Sequence, residues 1–116
     1  MKKTYELLKE QYNIEQFSEP YITEHWYAVT GSIQCGGLSV SLHADLSRHY
    51  DSKETTVEGE LIEGKALDAF IKWNFSSKRS ILRSFPVSEE GVREACEWLD
   101  EKRQEFAQRI LDGDEY

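Results

Sequence analysis

Little in this chain offers ready-made chemistry. Of its 116 residues only two are cysteine, Cys35 and Cys96, and they stand far apart with no CxxC spacing. That argues against a metal cluster or dithiol motif and leaves two free thiols as the expectation in a reducing compartment. No apolar run is long enough to span a bilayer. Residues 1–10 (MKKTYELLKE) have a basic tip without the apolar stretch of a secretory signal, so a cytoplasmic location is expected. The glycines at 36, 37, 59, 64 and 91 are not spaced as a phosphate loop, and no serine sits in a GxSxG context. Basic residues are also scarce, 14 against 22 acids for a net charge of −8, which disfavours direct contact with nucleic acid and makes a basic protein the better partner.

What is present describes one globular domain spanning residues 1–116. Apolar residues make up 39% and charged residues 31%, and fourteen aromatic side chains argue against disorder. The acidity is concentrated at one end. Residues 1–24 carry a net −2, residues 25–87 are neutral, and residues 88–116 hold ten acids against four bases, a net −6.

Hydrophobic periodicity predicts an α+β fold in which an antiparallel meander of three to four strands packs against a long C-terminal helix, with a further helix at the N-terminus. Tyr5, Leu8 and Tyr12 share a helical face in a segment reaching Gln16, where Phe17-Ser-Glu-Pro20 is expected to end it. A strand over His25 to Gln34 leads through Cys35-Gly36-Gly37, a turn of about three residues, into the clearest alternation in the chain, Leu38, Val40, Leu42, Ala44 and Leu46. Arg48 to Lys53 reads as a polar turn. Glu54 to Glu63 then reads as a third strand with Val57 and Leu61 inward. Lys65 to Asn74 fits a short helix through Leu67, Phe70, Ile71 and Asn74, although Ile71, Trp73 and Phe75 also suit a strand. Ser80 to Val87 is a fourth strand. Ser88 caps the last helix, Gly113 stops it, and Val92, Cys96, Leu99, Phe106 and Ile110 line its apolar side.

Four features could carry function. His43, Asp45, His49 and Asp51 resemble a metal-ligand set, yet strand parity and turn composition already account for all four, so no metal or other cofactor and no catalytic residue is expected. Cys35 in its glycine turn is the better candidate for a reactive thiol, and Lys72, Lys78, Arg79 and Arg83 with Trp73 and Phe75 form a small basic-aromatic patch. The sharpest feature is acidic: at about 100° per residue, Glu90, Glu94, Glu97, Glu101 and Glu105 fall within about 80° of one helix face, with Trp98 at the border as the aromatic anchor expected for a partner. A plain solvated face is the competing explanation.

In size, acidity and lack of catalytic motifs the chain resembles phage-encoded inhibitors of bacterial defence, anti-CRISPR proteins among them, and immunity proteins that neutralise toxins. The likeness covers no motif and transfers no residue. The expected function is a small non-enzymatic binding protein that inhibits a basic, nucleic-acid-handling effector through the acidic helix face. A toxin-neutralising immunity protein, and a ligand-binding domain or metal-dependent hydrolase using His43 to Asp51, are the alternatives.

Overall fold

The computed structural model describes residues 2–25, 29–45, 56–73 and 80–111. Helix α1 (Thr4–Gln11) is followed by a 3-10 turn (Ile14–Phe17) and helix α2 (Glu19–His25). Five strands come next, β1 (Val29–Cys35), β2 (Leu38–Asp45), β3 (Thr56–Val57), β4 (Ala66–Trp73) and β5 (Ser80–Phe85), before helix α3 (Glu89–Leu111). The class is α+β, as the periodicity predicts. Among the described residues the sheet has five strands in the order β1-β2-β4-β5-β3, antiparallel except for the short parallel pairing of β3 with β5.

One face of the sheet makes the core. The alternation in β2 buries Leu38, Val40, Leu42 and Ala44, and the register aligns them with Ile33 of β1 and with Leu67, Ala69, Ile71 and Trp73 of β4. Helix α3 lies across β2, β4 and β5. It contributes Val92, Ala95, Cys96, Trp98, Leu99 and Phe106, with Phe106 stacked on Trp73 at 4.8 Å between ring centres. Leu8, Phe17 and Ile22 complete the core from the N-terminal segment. Gly31 makes room for Phe17, Leu8 and Tyr12, which a β-carbon there would meet at 3.0 to 3.3 Å. β1 and β2 are joined by Gly36 and Gly37 alone, with Gly36 at a φ of 62° that suits glycine in a tight hairpin.

Several expectations need correction, among them the start of the first strand, because His25 closes α2 and β1 opens at Val29. The first helix stops at Gln11 rather than Gln16, because Tyr12 is extended and Asn13 accepts from Glu15 N, an Asx turn that competes with helix continuation. Pro20 opens a helix instead of ending one: it lies in the first turn of α2, where proline's missing N–H costs nothing, behind Ser18, whose carbonyl accepts from Ile22 N. Residues 66–73 form a strand. β4 is central, and Ala66, Leu67, Asp68 and Ala69 are all buried, so the alternation that identifies a half-buried strand is lost and a helical spacing appears by coincidence. The meander fails at its third strand, because β4 takes the free side of β2 over eight residue pairs, and among the described residues 56–63 only Thr56–Val57 pair as a strand, at the far edge, with Leu61 exposed. Trp26, Tyr27, Leu46, the turn from Arg48 to Lys53, Phe75, Lys78, Arg79 and Gly113 lie outside the described residues.

Candidate partner-binding edge on the last helix

Helix α3 begins where Ser88 accepts from Gly91 N at 3.0 Å, and its 23 residues present two different sides. Val92, Ala95, Cys96, Trp98, Leu99, Arg103 and Phe106 are buried, while Glu90, Glu94, Glu97, Glu101 and Glu105 are all exposed. The five carboxylates therefore share the solvent edge that helical spacing assigns to them. Among the described residues, Glu90, Glu94, Glu97 and Glu101 form no ion pair. Glu105 differs, meeting Lys102 at 3.2 Å and Arg109 at 3.8 Å. Lys102 also reaches Glu58 at 2.8 Å. Burial lowers its pKa, but the hydrogen bonds to Glu58 and Glu105 outweigh that and hold the ammonium above its ordinary value.

Trp98 is not the exposed anchor expected beside the stripe. Its side chain is 4% exposed and packs against Phe85, at 6.2 Å between ring centres, because the apolar arc of α3 is wide enough to include it. Apolar contact area next to the carboxylates comes from elsewhere. A cavity of about 350 Å³ at the start of α3 is walled by Tyr5, Ile14 and Val92 and rimmed by Glu15, Glu89 and Arg93. Arg93 stands one helical turn before Glu97, so the cavity flanks the stripe. Nothing in the sequence pattern points to it, since three separate elements build it.

A second feature, with no local sequence pattern behind it, ties the start of α1 to α3. Asp100 accepts from Thr4 N at 2.8 Å and from Thr4 Oγ1 at 2.7 Å, so a carboxylate of α3 caps the first turn of α1. Arg103, 4% exposed, donates to Thr4 Oγ1 and the Lys2 carbonyl at 3.1 Å and lies 3.4 Å from Asp100. Its place on the helical wheel beside Val92 and Leu99 was the available signal.

On the opposite sheet face, His43 of β2 lies across from Asp68 of β4, which lies across from Ser84 of β5. Ser84 Oγ donates to Asp68 at 2.7 Å, and both side chains are buried. This order places the carboxylate between hydroxyl and imidazole, whereas base-assisted attack needs the imidazole in the middle. His49 and Asp51 lie outside the described residues, and among those described no group of three or more His, Cys, Asp or Glu side chains is placed to hold a metal ion. Cys35 is a weaker nucleophile than its glycine turn suggests, because burial pushes its thiol above the ordinary value. Cys96 is pushed up to about 12, by burial first and then by Asp100 and Glu97. Both thiols are free. Of the basic-aromatic patch, Trp73 is buried in the core while Lys72 and Arg83 are exposed. No helix among the described residues is long and apolar enough to cross a membrane.

Compared with protein-family models, curated proteins and solved structures, the chain matches none.

Proposed function

We propose that this chain is a small non-enzymatic binding protein, a stoichiometric inhibitor of a larger, basic, nucleic-acid-handling partner of the kind that phage anti-defence and anti-CRISPR proteins block. One observation carries the reading: Glu90, Glu94, Glu97 and Glu101 are exposed along one edge of a helix whose other side is locked into the core. Carboxylates three and four residues apart on a helix repel by a few tenths of a kcal/mol per pair, so the row brings the isolated protein no stability. A basic surface turns that repulsion into attraction and accelerates encounter. The neighbouring cavity, with Tyr5 and Val92 in its walls, supplies the apolar area that Trp98 does not.

The test is capture from the native host with the wild-type chain and with a Glu94→Gln, Glu97→Gln, Glu101→Gln variant as baits. A basic nucleoprotein held by the wild type, lost with the variant and inhibited on binding at one-to-one stoichiometry is the expected result. Capture of a single small toxin by both baits alike would overturn the reading in favour of an immunity protein.

A further inference from the structure

Among the described residues β1 is the last strand on its side of the sheet. Cys35 and Leu38 flank a two-residue connection, which makes them a hydrogen-bonded pair. The antiparallel alternation then bonds Ile33 and Gly31 to β2 and turns the main-chain groups of Ser32 and Thr30 outward. Two contacts of Ser32 agree with this. Its Oγ lies 2.8 Å from Ser41 Oγ, the close side-chain approach of a non-hydrogen-bonded pair, and its carbonyl accepts from the Tyr12 hydroxyl at 3.1 Å, from outside the sheet. Proteins blunt such edges with lysine, proline, bulges or a covering element. The strand VTGSIQC has neither charge nor proline, in a chain that is 31% charged, and the cover that the described residues supply at Ser32 is a single phenol.

We propose that this edge pairs with the same edge of a second copy of the chain, antiparallel about a two-fold axis at Ser32. The geometry is self-complementary: Ser32 facing Ser32 of the second copy lets each outward N–H meet the other's carbonyl, which keeps a second lone pair beside the Tyr12 bond. A second copy suits the edge better than a basic protein does, because β1 has no carboxylate to offer a cation. Each copy carries a net −8, so the two associate against mutual repulsion, and added salt tightens the pair by screening it. That salt response is opposite in sign to the one expected for binding through α3, so the two ideas fail separately.

Sedimentation equilibrium of the full chain, from micromolar to millimolar concentration in low and high salt, tests the proposal. The expected result is a monomer–dimer equilibrium that shifts toward dimer with salt, and further toward dimer in Tyr12→Phe, which removes the covering hydroxyl. Ser32→Pro removes the outward N–H, together with the hydroxyl that meets Ser41, while leaving the main-chain bonds of β1 to β2 in place, and it abolishes the dimer. Ser32→Glu sets like charges directly opposite each other with the same outcome, and it serves if the proline variant does not fold. A wild type and a Tyr12→Phe variant that stay monomeric at every concentration, or a dimer that survives both Ser32 substitutions, would overturn it.

Discussion

Arg103 is a buried guanidinium, 4% exposed, held by Thr4, the Lys2 carbonyl and Asp100, with no hydrogen-bond partner for its Nε. Removing a partner from a buried charge destabilises far more than the pair itself contributes. Asp100→Ala also uncaps α1, so chemical denaturation should show a loss of about 3 kcal/mol. Arg93→Ala is the contrast, because Arg93 and Glu89 are 65% and 82% exposed, and its effect should stay below about 0.5 kcal/mol. The buried Cys96 gives a pH signature. Its folded pKa is raised from 9.0 to about 12, so the folded state keeps the thiol proton that the unfolded chain releases. The contribution is therefore complete below pH 9 and is lost as pH rises toward 12. Thermal melts of wild type and Cys96→Ala across that window should show the wild type losing stability more steeply, and parallel curves would contradict the assignment.

Among the elements, α3 is the one whose failure should be felt most widely. Phe106 is 5% exposed and stacks on Trp73 of the central strand. Phe106→Ala should cost about 3 to 5 kcal/mol in denaturant unfolding, and an unchanged midpoint would mean that α3 is not docked as described. The same helix shows what the sequence makes legible. Its span, its serine cap and the exposure of five glutamates follow from 3.6-residue spacing, because a long helix on one sheet face keeps a single period throughout. Trp98 is buried, against the expectation from spacing, because the buried arc is wider than the line through Val92, Leu99 and Phe106. β2 was legible for the same reason in period two, whereas β4 was not: Ala66, Leu67, Asp68 and Ala69 are buried together, and only the tertiary setting of a central strand explains that. The Thr4, Asp100 and Arg103 contacts and the cavity at the start of α3 join residues far apart in the chain, which no local pattern reports.

At the scale of the whole molecule the uneven charge is the dominant fact. Residues 88–116 hold a net −6 of the total −8, and five of their acids, Glu90, Glu94, Glu97, Glu101 and Glu105, lie along the exposed side of α3. Changing Glu94, Glu97 and Glu101 together to Gln removes repulsion between neighbours, so the variant should melt at the wild-type temperature or slightly above, a gain of up to about 1 kcal/mol. A lower melting temperature would mean that these carboxylates contribute to the fold itself.

The central claim, that the exposed carboxylates of α3 meet a basic partner, is tested most directly by the salt dependence of affinity for the captured partner, measured side by side for the wild type and this triple variant. Wild-type affinity should fall steeply as salt rises, and the variant should bind more weakly in low salt and respond to salt less. Equal affinities with equal salt slopes would contradict the claim.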